Sequence, residues 1–253
     1  MFFGVSTLGC PGLPLDRVAR LLRRHDVGAV ELRCADDEPV HTGLSPADRR
    51  AARDTLDGLR LVGLATYVRL TDGAAGLAGH LDLAYDLGAT TLRLMPGGTG
   101  DPAPLLDRAA AVLADAVVTA RGSGVRLLVE THDAFLRGAD VRRLLELSGA
   151  GHTEAGAVWD ALHPWRSGEP PVRTAVELGP WLGEVQIKDV AGPADLVPLV
   201  PGTGAVPNAE VLTLARAAGF TGPVVLEHEA RWYRDAAPID DAIAGGRRVF
   251  DRR

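Results

Sequence analysis

The chain has 253 residues, of which 46% are hydrophobic and 24% charged, an ordinary balance for a globular protein with a large core. Its 27 basic and 33 acidic residues give a net charge of −6 without any basic run or stripe, which argues against nucleic acid as a partner. The opening MFFGVSTLGC lacks the charge pattern of a secretion signal. No stretch approaches the ~20 apolar residues of a membrane span, so a cytoplasmic protein with no membrane partner is expected.

Apolar runs of strand length alternate with helical patterns along the whole chain. Strand 2–7 precedes helix 14–25, then strand 29–33 precedes helix 47–58, and strand 60–66 precedes helix 75–87. The pattern continues with 91–96 and 103–122, 126–132 and 138–149, and 155–161 and 170–179. It closes with 183–189 and 207–218, then 223–229 and 236–251. In 103–122, Leu105, Leu106, Ala109, Val112, Leu113, Ala116 and Val117 recur at the helical period. Ser45-Pro46 reads as a cap followed by proline in the first helical position. Eight strand–helix units without a linker or composition break predict one α/β domain over 1–253. The length suits a (β/α)8 TIM barrel of ~250 residues.

Alternation along each strand decides which side chains enter the barrel, because the outer face must pack on helices. Leu127 and Val129 face out, so Glu130 and His132 face in, and Trp159 faces out against an inward Asp160. Val185 and Ile187 leave Gln186 and Lys188 inside, while Val224 and Leu226 leave Glu227 and Glu229 inside. The same rule turns Glu31, Arg33 and Arg93 inward. His228 should face the helices, and His25, His41, His80 and His152 belong to helices or loops. Barrel active sites form at the C-terminal strand ends, where these polar residues gather.

Four of them, Glu130, Asp160, Gln186 and Glu227, each end a strand-like run with a side chain able to offer oxygen to a hard or borderline divalent metal. That convergence predicts a metal-dependent enzyme. Lys188 is the single lysine among 27 basic residues, and a compact ammonium differs from guanidinium in reach and titration. Cys10 and Cys34 lack metal or redox spacing and are expected to be reduced thiols.

In chain order, Glu130 in VETH, Asp160 and His163 in WDALHP, QIKD ending at Asp189, Pro-Gly-Thr-Gly at 201–204 and Glu227 in LEHE resemble the xylose isomerase-like barrel superfamily, in its sugar phosphate isomerase/epimerase branch. The resemblance implies one divalent ion held by Glu130, Asp160, Gln186 and Glu227, with Glu130 and Glu227 also serving as the acid/base pair. It implies isomerisation or epimerisation of a small sugar or keto-sugar through an enediolate, with His163, Lys188, Arg93, His132 and Glu229 around the substrate. Most members carry His where this chain has Gln186, and hydroxypyruvate isomerase-like members resemble it in having Gln. A neutral amide oxygen makes the donor set all oxygen, which favours Mn2+ or Mg2+ over Co2+ or Zn2+. The endonuclease IV-like branch needs further histidines where this chain has Ala65-Thr66-Tyr67, Met95-Pro96 and Gln186.

Three other readings compete for the same residues. They are a dehydratase of an inositol-like ketone, a Schiff-base aldolase using Lys188, and a non-catalytic sugar-binding barrel. A homodimer is compatible with each, and the loops after the first four strands, which set substrate identity, carry no recognisable motif.

Overall fold

The computed structural model describes residues 1–252. Eight parallel strands close into a barrel in chain order. They are β1 (Phe2–Ser6), β2 (Ala29–Arg33), β3 (Arg60–Arg69), β4 (Thr91–Met95), β5 (Arg126–Glu130), β6 (Ala155–Asp160), β7 (Leu182–Ile187) and β8 (Pro223–Leu226). The helices outside it are α1 (Leu15–Arg24), α2 (Pro46–Thr55), α3 (Leu77–Leu87), α4 (Leu106–Ala120), α5 (Gly138–Ser148), α6 (Leu162–Arg166), α7 (Pro171–Leu178), α8 (Asn208–Ala217) and α9 (Ile239–Asp251). This is a (β/α)8 TIM barrel. No helix among the described residues is long and apolar enough to cross a membrane.

The expected alternation holds. Leu127, Val129, Val185, Ile187, Val224 and Leu226 are fully buried in the large core cluster, together with residues of the helices. Trp159, 1% exposed, belongs to the same layer. A second cluster of Ala29, Val62 and Val225, with Phe2 packed against it, is separate from that layer. Register then sets the site: Glu130 lies opposite Val158, Asp160 opposite Gln186, and Gln186 opposite Val225. Ser45 accepts a hydrogen bond from the Asp48 amide at 3.2 Å and caps α2, with Pro46 as its first residue.

Three local features differ from expectation. Strands β5, β7 and β8 stop at Glu130, Ile187 and Leu226, so His132, Lys188, Glu227 and Glu229 stand just past them. Laddering fades gradually there, since the Glu227 amide still donates to the Ile187 carbonyl at 3.0 Å. Strand β3 runs on to Arg69 and takes in Tyr67, which sequence placed in a loop. The short helix α6 follows Asp160, whose Oδ1 accepts from the Leu162 amide at 2.7 Å and the His163 amide at 3.3 Å. That capping anchors a turn too short to show a helical period.

Cys10 and Cys34 are free and buried. Burial is the main reason that each thiol is pushed up to about 12, so thiolate is scarce near neutrality. Iodoacetamide at pH 8 should therefore leave both unmodified in the native protein and label both in guanidinium, as read by mass spectrometry. Rapid native labelling would contradict the packing around them.

Candidate active site

Glu130, Asp160 and Glu227 converge where β5, β6 and β8 end, each offering a carboxylate oxygen within 4.8 Å of the others. All three are buried: Glu130 is 1% exposed, Asp160 0% and Glu227 3%. Gln186 is also fully buried. Its Nε2 donates to Glu184 Oε1 at 3.1 Å, and its Oε1 has no hydrogen-bond partner. Asp160 Oδ2 is ion-paired with Lys188 Nζ at 2.7 Å and lies 3.9 Å from His163 Nε2. Unpaired buried oxygens are costly without a compensating ligand. The unpaired Gln186 oxygen, together with the carboxylates of Glu130, Asp160 and Glu227, suits a hard divalent cation, so this donor set fits the ion that the sequence implies.

Two buried cations stand among these acids. Lys188 Nζ contacts Asp160, Glu227 and Glu229, the last at 2.7 Å. Burial opposes its charge, but Asp160, Glu227, Glu229 and Glu130 raise its proton affinity well above the ordinary lysine value. Arg93 donates to Glu130 Oε2 at 2.5 Å and lies over the Tyr67 ring. Burial would push Glu227 up, yet Lys188 and Arg93 hold it below the usual carboxylate value. Burial pushes Asp160 up to about 7, opposed by Lys188 and reinforced by Glu130 and Glu227.

Near this layer, Glu31 and Glu184 face each other, both 1% exposed. Burial raises Glu31 to about 7, opposed by Arg93, and raises Glu184 well above its ordinary value, reinforced by the charge of Glu31. Two carboxyls in such a space cannot both ionise cheaply. Sequence pointed Glu31 inward but missed Glu184. The alternation that turned Gln186 inward applies to Glu184 two residues earlier and was the available signal. Arg33 does not pair with Glu31. Instead it donates to Glu38 at 2.6 Å, Asp37 at 2.9 Å and the Tyr67 hydroxyl at 2.8 Å, a structural role.

His163 is 6% exposed, and neither ring nitrogen makes a hydrogen bond, Nε2 lying 3.9 Å from Asp160 Oδ2. Burial, aided by His132, Lys188, Arg166 and Arg93, lowers its pKa well below the ordinary value. His132 packs edge-on against it with ring centroids 4.3 Å apart. Its Nδ1 meets Asp133 Oδ1 at 2.9 Å, while the Gly97 amide donates to Asp133 Oδ2, also at 2.9 Å. Asp133 takes φ of 51° to make these bonds, and sequence gave it no role. His228 faces away from the site and contacts the Ala237 carbonyl at 2.7 Å.

Above the acids opens a cavity of roughly 300 Å³, walled by Tyr67, Met95, Leu162, Leu196 and Trp232. Arg69 and Arg166 also line it. Asp189, the last residue of the QIKD motif, ties down the 201–204 loop. Its Oδ2 accepts from the amides of Gly202 at 2.7 Å and Gly204 at 3.0 Å. A Cβ on Gly204 would meet Asp189 Oδ1 at 2.4 Å, so only glycine lets the loop approach.

Residues 19–252 match the family model described as xylose isomerase-like TIM barrel. The chain belongs to the xylose isomerase-like TIM barrel family. Among solved structures of similar fold is the IolI protein with a binding zinc atom, at TM-score 0.80 and 16% identity over 98% of this chain and 96% of that one. A probable 3-DHS dehydratase, AsbF of Bacillus anthracis, aligns at TM-score 0.79 and 15% identity over 100% of both chains. D-psicose 3-epimerase of Clostridium cellulolyticum H10, with D-tagatose, aligns at 0.79 and 14% identity over 100% of both. At these identities the likeness establishes the barrel. No curated protein matches the chain.

Proposed function

We propose that this xylose isomerase-like barrel is a divalent-metal-dependent isomerase or epimerase of a small sugar or keto-sugar, working through an enediolate. The observation that carries the reading is the meeting of Glu130, Asp160 and Glu227, with the unpaired Gln186 oxygen on the strand paired with that of Asp160. Gln186 completes the donor set, its amide oriented by the bond to Glu184. When bound, the ion supplies Lewis acidity that favours negative charge on the substrate oxygens. Mn2+ or Mg2+ suits the four oxygens best.

The protein's own groups move the protons. Glu227, held ionised by Lys188 and Arg93, removes the proton alpha to the carbonyl. Glu130, at the end of β5, enters the step protonated and gives that proton to the other side of the intermediate, after which exchange with solvent resets both carboxyls. Arg93 keeps Glu130 oriented, and Lys188 and Glu229 present charge to substrate hydroxyls. Arg69 and Arg166 at the cavity wall meet an anionic substituent where the substrate carries one. Tyr67 and Trp232 flank the sugar ring or chain.

Lys188 counts against the Schiff-base reading, because an amine held cationic by several carboxylates is not a nucleophile. A dehydratase remains a second reading, favoured by the fold likeness to the probable dehydratase AsbF. It would begin with the same proton abstraction and end in loss of water, which appears as a conjugated product in the ultraviolet.

Protein purified without added metal or chelator is expected to carry a divalent ion in elemental analysis, or to take up Mn2+ on titration. Protein that is empty and also refuses Mn2+ would overturn the reading.

A further inference from the structure

Arg33, at the end of β2, is 4% exposed, and a buried guanidinium must find partners along its edge and against its faces. Its edge meets Glu38 Oε1 at 2.6 Å, Asp37 Oδ1 at 2.9 Å and the Tyr67 hydroxyl at 2.8 Å. Its central carbon lies 5.1 Å from the centre of the Tyr67 ring and 5.4 Å from that of the Trp232 ring. A planar cation can bond carboxylates through its edge while aromatic rings pack on it, and a compact ammonium cannot do both. Both rings line the cavity above the acids. Asp37 also forms an ion pair with Arg231, the residue before Trp232. Glu38 is fixed in turn by the Gly12 amide, which donates to its Oε2 at 3.3 Å.

From this arrangement we propose that Arg33 is a positioning residue of the active site. It sets Tyr67 and Trp232 as one wall of the cavity and, with Asp37, holds residues 229–236 against it. That loop is anchored at its far end, where His228 Nε2 meets the Ala237 carbonyl at 2.7 Å and the Ala237 amide donates to the Pro198 carbonyl at 2.9 Å. Within it, Glu229 reaches Lys188 at 2.7 Å and Trp232 stands 55% exposed. Its ties to the β2 side are the Arg231–Asp37 pair and the Arg33–Trp232 contact. A wall already fixed before binding spares the complex the ordering of two large side chains, so its contribution goes to substrate affinity. The inference rests on the proposed function only for the sugar that the wall receives.

The test reads the loop without substrate, so its failure leaves the proposed function standing. Asp37→Ala unties Arg231 but keeps the buried Arg33–Glu38 pair. Arg33→Met combined with Glu38→Gln removes both charges of that pair together and strands neither. Acrylamide quenching of Trp232 is taken as the difference from the same protein carrying Trp232→Phe, and trypsin cleavage is followed after Arg231 and Arg234. In both variants quenching should steepen about twofold and cleavage in this loop should quicken roughly tenfold, with other sites unchanged. With the ketose that exchanges its alpha proton fastest, KM should rise roughly tenfold while kcat stays within about twofold. Unchanged quenching and cleavage in both variants would overturn the proposal. A looser loop with KM unmoved would also overturn it, leaving Arg33 a purely structural residue. Exchange with no ketose at all would overturn the proposed function instead, and quenching with cleavage would then decide whether Arg33 holds the loop.

Discussion

Glu227→Gln is expected to lower kcat by about 10²–10⁴-fold while leaving the fold intact. Glu227 is 3% exposed and sits against Lys188, so an isosteric amide keeps its packing and an oxygen for the ion while removing the base. Lys188 retains Asp160 and Glu229 as partners, each 2.7 Å away, so no uncompensated cation is stranded. The variant should bind metal more weakly than wild type without losing it. Circular dichroism and a thermal melt check the fold, and a steady-state assay reads turnover. A fully active variant would remove Glu227 from the mechanism.

The largest effect on stability is expected from Trp159→Ala. Trp159 is 1% exposed on the outer face of β6, one residue before Asp160, and is the largest fully buried side chain. Truncation removes its transfer free energy and leaves a cavity, costing about 3–5 kcal/mol. That is a large share of the ~5–15 kcal/mol typical of a folded domain. A loss of roughly 10 °C in Tm is expected. Val176→Ala on α7, at a side chain 68% exposed, should change Tm by little. Equal effects from the two substitutions would contradict the two-layer packing. The placement of Asp160 depends on this residue, so metal affinity should fall together with stability.

Much of this molecule was legible in its residues. The barrel followed from strand-length apolar runs alternating with helical periods, and the inward set from the demand that Val185, Ile187, Val224 and Leu226 meet the helices. Gln186, Glu227 and Lys188 then had one face left to occupy. Pairings between distant residues were not legible. Arg93 meets Glu130 across 37 positions, and only the β4–β5 register makes them neighbours. Arg33 read as an inward polar residue, but Glu38 and Asp37 in the following loop capture it, because loop geometry leaves no period in sequence. Glu184 was obscured by its neighbour Gln186. Asp133 could not have been found by pattern, since its role comes from a left-handed backbone conformation in a loop, which leaves no period in sequence.

The most direct test of the proposed chemistry is solvent exchange. Metal-loaded protein is incubated in D2O with a panel of ketoses, their phosphates and small keto acids, and deuterium is read by proton NMR. Deuterium should enter at a carbon alpha to the carbonyl of at least one compound, with exchange lost on chelation and in Glu227→Gln. Protein that binds metal yet exchanges no proton in any member of the panel would contradict proton abstraction by this site.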